Sequence, residues 1–302
     1  MLKNKDIISV RDMRKEDIEL VLEKAEETER TGKSGIMKGK ILASLFFEPS
    51  TRTRLSFSSA MHSLGGNVIG FESTEGTSVA KGENLADTIR MANGYSDLIV
   101  IRHPKEGAAR FAAELSEKPV INAGDGANQH PTQTLLDLYS IKKFAGAIEG
   151  TNVTLLGDLK YGRVMKSLFY ALSMFGANIH LSSPKGLEMP QSIVEEARQK
   201  FGADIMQSNE ILEGIKGADV VYACRIQKER FADPYEAEKM QREFRLTLEI
   251  LEKGKDDVII LHALPKVTEI EPSIDNTRHA KYFEQAALGV PVRMALISLL
   301  VG

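Results

Sequence analysis

A short run of hydroxyl and guanidinium side chains directly follows an apolar, strand-like segment. Ser50-Thr51-Arg52-Thr53-Arg54 comes after the apolar segment 41–47, and Pro49 ends that segment because proline has no N–H for a sheet. Ser50 occupies the position of a helix N-cap, and the first turn of a helix leaves N–H groups available to an anion. With the hydroxyls and Arg52, this spacing predicts a phosphate site. The alternative is an ordinary capped helix with a cationic first turn.

A second polar cluster opens another predicted helix. Pro131 fits the first helical position, because its missing N–H is not needed there. His130 then lies at the helix N-terminus, and Gln133 lies about one turn later on the same side. The helix dipole favours a neutral imidazole, which can still donate a hydrogen bond to a carbonyl oxygen. The alternatives are that His130 only caps the helix and that Arg102, after a third apolar run, is a solvated strand end.

Two further arginines follow apolar strands in the second half of the chain. Arg163 comes after Gly157-Asp158, and Arg225 comes after the apolar segment 218–223 with Gln227 close behind. The planar guanidinium matches a carboxylate with two parallel hydrogen bonds. A surface salt bridge would explain either arginine alone. Their common setting, just after an apolar strand of the same domain, makes a carboxylate site a stronger candidate for both.

The scaffold that must position these residues alternates strands with helices. The strand-like segments are 41–47, 67–71, 97–101, 119–122, 152–156, 177–181, 218–223 and 257–261. The helical patterns cover 16–31, 51–64, 85–95, 132–144, 163–175 and 192–201, with an apolar helix over 282–301. This alternation predicts an α/β fold of two similar doubly wound domains, each with a central parallel sheet flanked by helices.

The glycine-containing segment 146–150 marks the predicted break between the domains. We expect a first domain over 1–145, a second over 146–285, and a C-terminal helix over 286–302 that packs back on the first domain. Ligands of such sheets bind outside the carboxyl ends of the strands. We expect the active site in the cleft between the two domains.

Composition excludes several classes of protein. The 302 residues carry a formal net charge of −3, which argues against a nucleic-acid partner or a membrane surface. The apolar runs are short or broken by charges, the N-terminus lacks a signal-peptide pattern, and Cys224 is the only cysteine, so a cytoplasmic location is expected. We expect no metal and no cofactor. A dinucleotide-binding oxidoreductase is disfavoured because Gly-x-Gly-x-x-Gly is absent, Gly124-Asp125-Gly126 being the nearest approach.

Two of these motifs resemble those of a known family, and the resemblance extends over essentially the whole chain. Ser50-Thr51-Arg52-Thr53-Arg54 and His130-Pro131-Thr132-Gln133 are similar to the signature motifs of the aspartate and ornithine carbamoyltransferases. The resemblance implies transfer of the carbamoyl group of carbamoyl phosphate to an amino acid. It further implies that the phosphate is held by Ser50, Thr51, Arg52 and Thr53. The carbonyl oxygen would be polarised by Thr53, Arg102 and His130, and the carbamoyl amide bound by Gln133.

The amino-acid substrate is indicated by the second half of the chain. Arg225-Ile226-Gln227 suits an acidic side chain, and the Ser-Met-Gly element typical of the ornithine enzymes is absent. The resemblance therefore implies L-aspartate, with Arg163 and Arg225 on its carboxylates and Gln227 assisting. The alternatives are a carbamoyltransferase for another amino acid such as ornithine, and a non-catalytic relative that binds anions.

The segment 75–83 is glycine-rich and polar, as an ordinary surface loop would be. It also resembles a family loop whose serine and lysine enter the active site of the neighbouring chain. Ser78 would then contact carbamoyl phosphate, and Lys81 would bind aspartate and take part in catalysis. Lys81 is matched through the following Gly82-Glu83. This implies a homotrimer with shared active sites. It leaves open whether a separate regulatory chain binds.

The segment His262-Ala263-Leu264-Pro265-Lys266 departs twice from the family pattern His-Pro-Leu-Pro-Arg. The resemblance assigns the carbonyls of Leu264 and Pro265 to the carbamoyl amide, and a cis bond before Pro265 is expected. Ala263 removes one backbone restraint. Lys266 lacks the planar fork of arginine, which should weaken an ion pair made there.

Overall fold

Two parallel β-sheets organise the chain. A computed structural model describes residues 2–227, 231 and 233–302. The backbone divides into two units, unit 1 comprising 1–139 with 288–302, and unit 2 comprising 140–287. Each unit has its own sheet, so the predicted α/β class with two parallel sheets is confirmed.

The sheet of unit 1 has four parallel strands in the order β2-β1-β3-β4. Its strands are β1 (Ile41–Phe46), β2 (Asn67–Phe71), β3 (Leu98–His103) and β4 (Val120–Asp125). Its helices are α1 (Lys15–Thr31), α2 (Thr51–Ser63), α3 (Leu85–Tyr95) and α4 (Ala108–Leu115). The central strands β1 and β3 are buried almost throughout because helices cover both faces, whereas the edge strand β2 is largely exposed.

The strand order of unit 1 reverses at β1. The chain goes from β1 to β2 on one side and later adds β3 on the other side, so the loops that follow β1 and β3 diverge. Phe46 pairs in register with Arg102, and the N–H of Phe47 donates to the carbonyl of Arg102 at 2.8 Å. The crevice at such a reversal is where open α/β sheets bind ligands. It brings the end of β1 and its Ser50 loop beside Arg102.

The sheet of unit 2 has five parallel strands in the order β7-β6-β5-β8-β9. Its strands are β5 (Asn152–Gly157), β6 (Asn178–Ser182), β7 (Ile205–Ser208), β8 (Val220–Cys224) and β9 (Ile259–His262). Its helices are α6 (Arg163–Met174), α7 (Gln191–Phe201), α8 (Ile211–Ile215), α9 (Pro234–Glu243) and α10 (Leu248–Leu251). Here the order reverses at β5, so the loops after β5 and β8 form the second crevice.

Gly157 makes the close approach of β5 and β8 possible. It pairs with Cys224 at the last register position and has φ of 113°. A Cβ at this position would lie 2.2 Å from the carbonyl oxygen of Cys224. Only glycine combines that backbone angle with that contact.

Two long helices run through the division between the units. The boundaries at 139/140 and 287/288 fall inside α5 (Pro131–Ala145) and α11 (Tyr282–Val301). The sequence instead predicts them at 145/146 and 285/286, at a glycine-containing break and near a helix start. A helix that spans a boundary carries no sequence signal at the point where its contacts change partner.

The apolar helix α11 corrects one expectation. By length and composition alone it could cross a membrane, with a mean hydropathy of 1.4, so the expectation that every apolar run is too short or too broken by charges was wrong. In the protein 56% of that window is buried, and its apolar residues Val292, Ala295, Leu296 and Ile297 are wholly inside. A buried core helix meets the same criterion.

The remaining differences concern short or polar elements. Strand β7, whose two central residues are exposed, was not predicted from the sequence, nor were α4, α8, α9 and α10. Strand β7 is an exposed edge strand, and α8 and α10 have only five and four residues, which is too short for a periodic apolar face.

Candidate active site

The phosphate loop of unit 1 has the predicted local structure. Ser50 is the N-cap of α2, with extended φ and ψ of −158° and 100°, and its side chain makes no capping hydrogen bond with the described residues. Thr51 is the first residue of the helix, and Thr53 is 7% exposed. Arg54 turns away, because its Nη2 lies 2.5 Å from Oε2 of Glu72. The loop therefore offers the N-terminus of α2 and the hydroxyls around it to an anion.

Arg52 and Arg102 concentrate positive charge at the same crevice. Arg52 is exposed as a residue, but partial desolvation of its guanidinium lowers its pKa, and the positive charge of Arg102 lowers it further. Two cations within each other's field repel, and an anion bound beside both would relieve that repulsion. The arrangement is suited to a phosphate.

Arg102 is held in place by few contacts for a buried cation. It is 9% exposed, its Nη1 donates to the carbonyl of Ala123 at 3.1 Å, and its Nη2 lies 3.3 Å from Oε1 of Glu48. Burial lowers its pKa, and the charge of Glu48 opposes that shift. Its Nε has no hydrogen-bond partner among the described residues. A buried guanidinium with spare donors can still bind a substrate oxygen.

A buried carboxylate shapes the turn that leads to His130. Asp125, at the end of β4, is 1% exposed and accepts hydrogen bonds from Asn122 Nδ2 at 2.9 Å and from the N–H of Gly107 at 2.9 Å. It also accepts from the N–H of Gln129 at 3.2 Å. His130 follows directly and is 4% exposed. Asp125 thus ties β4 to the start of α5.

Helix α5 begins at Pro131, as predicted, and the carbonyl of His130 accepts its first backbone hydrogen bonds. These come from the N–H groups of Gln133 at 3.0 Å and Thr134 at 3.2 Å. The side chain of Gln133 is 9% exposed, and its Nε2 donates to Oδ1 of Asp137 at 2.8 Å. His130 and Gln133 therefore open the same helix.

Ser78 and Lys81 make no described polar contact with this cluster. They form an exposed 3-10 turn, Ser78–Lys81, and no hydrogen bond or ion pair among the described residues joins them to the phosphate loop. Within one chain, therefore, no described hydrogen bond or ion pair links Ser78 or Lys81 to Arg52.

In unit 2, Asp158 organises the turn between β5 and Arg163. It is fully buried, and its Oδ1 accepts the N–H of Tyr161 at 2.9 Å. Burial raises the pKa of Asp158, whereas the N–H groups of Tyr161, Gln227 and Lys160 oppose that shift. The influence of Gln227 on this pKa indicates that the loop after β8 lies near the same carboxylate, although its Oδ2 has no hydrogen-bond partner among the described residues. Arg163 is half-buried and begins α6.

The loop after β8 presents the other predicted residues. Arg225 and Gln227 are half-buried, whereas Ile226 between them is 3% exposed and belongs to the core of unit 2. Burial raises the pKa of the neighbouring Cys224 to about 12, and the charges of Asp158 and Glu269 add to this effect. The thiol is therefore neutral and unsuited to nucleophilic chemistry.

A buried histidine and glutamate hold the loop that follows β9. His262 Nδ1 accepts the N–H of Leu264 at 2.8 Å, which places the proton of the neutral ring on Nε2. That Nε2 lies 2.8 Å from Oε1 of Glu269, both side chains being about 5% exposed. Glu269 also accepts the N–H groups of Val267 at 3.1 Å and Thr268 at 3.0 Å. The loop is thereby fixed at both ends.

The two departures from the family pattern lie in this loop. The Leu264–Pro265 peptide is cis, as expected, and Leu264 has φ of 56°, which is rare for a residue with a side chain. Lys266 Nζ lies 2.9 Å from Oδ1 of Asp275, at 15% and 28% side-chain exposure, and Tyr282 also donates to that carboxylate. An ion pair therefore exists at Lys266, made through one ammonium and not through a planar fork.

Sequence reasoning missed the carboxylates that support these side chains. Glu48, Asp125, Asp137, Asp158 and Glu269 all contact or orient a predicted residue or its loop. A signal existed for Asp137, which interrupts the apolar pattern Leu135-Leu136-Asp137-Leu138 of a helix and is fully buried. A buried carboxylate needs partners, so its position in an apolar pattern indicates a polar network.

Comparison with known proteins agrees with this architecture. A sequence model described as "Aspartate/ornithine carbamoyltransferase, carbamoyl-P binding domain" matches residues 5–143. A second, described as "Aspartate/ornithine carbamoyltransferase, Asp/Orn binding domain", matches residues 149–300. The aspartate carbamoyltransferase catalytic subunit of Methanopyrus kandleri is 55% identical, over 99% of this chain and 98% of the relative. That of Thermococcus kodakarensis is likewise 55% identical over 99% of this chain and 98% of the relative.

Solved structures give the same result. The catalytic subunit of M. jannaschii aspartate transcarbamoylase superposes with a TM-score of 0.93 at 47% identity, covering 98% of both chains. Aspartate transcarbamoylase from Trypanosoma cruzi in complex with N-(phosphonacetyl)-L-aspartic acid superposes with a TM-score of 0.93 at 34% identity, covering 100% of this chain and 97% of the other.

The fold and the site define a class: a two-unit parallel α/β protein with basic residues at the strand-order reversal of each sheet. With both family models matched along its length, the chain belongs to the aspartate/ornithine carbamoyltransferase family.

Proposed function

We propose that this chain transfers the carbamoyl group of carbamoyl phosphate to the amino group of L-aspartate, giving N-carbamoyl-L-aspartate and phosphate. This is the committed step of de novo pyrimidine biosynthesis. The observation that carries the proposal is the concentration of Arg52, Arg102 and the N-terminus of α2 at one crevice of unit 1. The aspartate carbamoyltransferase relatives at 55% identity favour aspartate over ornithine.

The carbamoyl phosphate site follows from the crevice of unit 1. The phosphate is held by Ser50, Thr51, Arg52 and Thr53, with Ser78 of a neighbouring chain closing over it. The carbonyl oxygen accepts hydrogen bonds from Thr53, Arg102 and His130, which stabilise the charge that develops there. The carbamoyl NH2 is bound by Gln133 and by the carbonyls of Leu264 and Pro265.

The aspartate site follows from the crevice of unit 2. Arg163 and Arg225 bind the two carboxylates, assisted by Gln227 and by Lys81 from the neighbouring chain. Support comes from their common position at the reversal of the strand order and from Asp158, whose pKa is influenced by N–H groups of both loops. Guanidinium groups held by structured loops lose little freedom when they bind a carboxylate.

The reaction needs positioning and charge stabilisation. The aspartate nitrogen attacks the carbamoyl carbon, the carbon–oxygen bond to phosphate breaks, and the departing phosphate accepts the proton released by nitrogen. Arg52 neutralises the leaving group, while Arg102 and His130 stabilise the oxyanion. No metal or cofactor enters this scheme, and no cluster of three potential metal ligands occurs within the described part of the chain.

Each domain then has a role. We assign 1–145 to carbamoyl phosphate, 146–285 to aspartate, and 286–302 to a C-terminal helix that belongs with the first domain. The grouping of 288–302 with unit 1 supports this assignment.

The active unit is a homotrimer with shared sites in the cytoplasm. The exposure of Ser78 and Lys81 supports sharing, since both side chains are available to a neighbouring chain. A separate regulatory chain would be an additional partner. If it copurifies with this chain, the mass of the complex in solution will exceed that of the homotrimer.

The decisive experiment assays the purified chain with carbamoyl phosphate and either aspartate or ornithine. We expect formation of carbamoyl-aspartate and a far smaller rate with ornithine. A faster rate with ornithine would reject the aspartate assignment, and no product with either amino acid would indicate a non-catalytic relative. The mass of the active species in solution should be three times that of one chain, and an active monomer would reject site sharing.

A further inference from the structure

Gln133 is connected to a buried charge network that none of the roles above uses. Its Nε2 donates to Oδ1 of Asp137 at 2.8 Å, one turn further along α5. Asp137 is fully buried, and Gln133 is 9% exposed. No described residue donates a hydrogen bond to Oε1 of Gln133.

The chemistry of the carboxylate decides which way the amide of Gln133 points. An ionised carboxylate only accepts hydrogen bonds, so the Gln133 atom beside it must be the NH2 group. This holds whichever way the two amide atoms would otherwise be assigned. The carbonyl oxygen of Gln133 must therefore be the atom left to accept a hydrogen bond.

Arg293 places a buried positive charge close enough to Asp137 for the two charges to interact. It lies on α11, is 3% exposed, and its guanidinium carbon lies 5.0 Å from the centre of the Phe57 ring on α2. Burial lowers the pKa of Arg293 to about 10, and the charge of Asp137 opposes that shift. The guanidinium is therefore still positive at neutral pH, and a buried cation favours a negative Asp137.

We propose that Asp137 is a positioning residue, which fixes the Gln133 amide with its carbonyl oxygen toward the substrate and so selects carbamoyl phosphate over acetyl phosphate. The inference rests on the proposed function, in which Gln133 binds the carbamoyl amide. A carbamoyl NH2 donates to Oε1. The methyl group of acetyl phosphate has the same size but cannot donate, and it leaves that oxygen desolvated without a partner.

The test is Asp137→Asn in the full chain. Asparagine keeps the shape, but its NH2 group can donate to Gln133 while its oxygen faces Arg293, so the glutamine amide can turn over. Dissociation constants for carbamoyl phosphate and acetyl phosphate are measured by calorimetry. We expect the preference for carbamoyl phosphate to fall about tenfold or more, through weaker binding of carbamoyl phosphate and unchanged or tighter binding of acetyl phosphate.

Asp17→Asn is the matched control. Asp17 is also a buried aspartate of unit 1, and it is paired with Arg14 at 2.9 and 3.0 Å. The Asp17→Asn variant should keep the wild-type preference for carbamoyl phosphate over acetyl phosphate, even if it loses as much stability as Asp137→Asn does. A purely structural role of Asp137 would weaken both phosphates together and leave the ratio unchanged, which would overturn the proposal.

Gln133→Met provides a second test that keeps Asp137 and Arg293 intact. Methionine has a similar shape and no amide, so the preference should fall by a similar factor. A Gln133→Met variant with the wild-type preference would overturn the proposal whether or not Asp137→Asn folds. If the wild-type chain forms carbamoyl-aspartate but Asp137→Asn keeps its preference, only the role of Asp137 fails. A wild-type chain that binds neither phosphate rejects the proposed function itself.

Discussion

At the scale of single residues, the crevice of unit 1 separates two neighbouring arginines into different environments. Arg52 lies in the field of Arg102, whereas Arg54, two residues later on the same helix, pairs with Glu72. A like-charge pair is unfavourable without an anion, so Arg52 and Arg102 are placed for binding and Arg54 is placed for structure. The two arginines therefore make a matched pair for mutagenesis.

Arg52→Ala should lower kcat/KM for carbamoyl phosphate by about 10²–10³-fold, because it removes charge that stabilises the leaving phosphate. Initial rates of carbamoyl-aspartate formation measure this. Arg54→Ala should change kcat/KM only a few-fold. Equal losses in the two variants would contradict the assignment.

Glu269 offers a pH-dependent prediction. Burial raises its pKa, but hydrogen bonds from His262 and from backbone N–H groups outweigh burial, so the pKa lies below the ordinary 4.5. A carboxyl with a depressed folded-state pKa contributes stability above pH 4.5 and loses it as the pH falls through the folded value. Glu269→Gln should lower the free energy of unfolding by about 1–3 kcal/mol at pH 7 and flatten its decline in acid.

Urea midpoints measured from pH 7 down to pH 3 test this prediction. Glu252→Gln, an exposed residue of the same unit, should follow the wild-type curve. If the stability of Glu269→Gln declines in acid as steeply as that of the wild type, the charge of Glu269 does not stabilise the loop that follows β9.

At the scale of elements, each crevice exists because the strand order reverses. The two strands on either side of the reversal must then pair closely at their carboxyl ends. In unit 2 this close approach depends on Gly157, where a side chain would meet the carbonyl of Cys224. The loops that carry Arg163 and Arg225 start at these two positions. A substitution that disturbs the pairing of Gly157 with Cys224 should therefore affect both loops together.

Gly157→Ala should destabilise the protein by about 2–4 kcal/mol, because it adds a backbone clash to an unfavourable φ. Gly186→Ala is the control, since Gly186 has φ of 88° but open space where a Cβ would lie, and it should cost about 1 kcal/mol. Chemical denaturation measures both. Similar losses would mean that the angle alone, and not the contact, requires glycine at 157.

At the scale of the whole molecule, the proposed trimer makes a prediction about mixed chains. Lys81→Ala and Arg52→Ala should each be nearly inactive alone. When equal amounts are unfolded together and reassembled, about a quarter of the sites should combine intact halves from two different chains. Activity should return to about that fraction. Reassembled mixtures without recovered activity would refute the shared site, and each variant reassembled alone serves as the control.

Much of the architecture can be predicted from the sequence. The buried strands β1, β3, β5 and β8 and the helices α2, α5 and α6 were predicted within a few residues, because burial on both faces demands continuous apolar runs and helix starts carry cap and proline signals. The edge strand β7 and the short helices were not, because packing against the rest of the unit stabilises them more than their own periodicity does.

The sequence by itself determined the motifs, the α/β class and the chemistry that arginine, hydroxyl and imidazole groups can perform. The tertiary structure alone decided which groups from distant segments lie within each other's electrostatic field: Arg52 with Arg102, Asp158 with Gln227, and Asp137 with Arg293. These pairings depend on strand order and on burial, which are set by contacts between distant segments. Local spacing along the chain does not contain them.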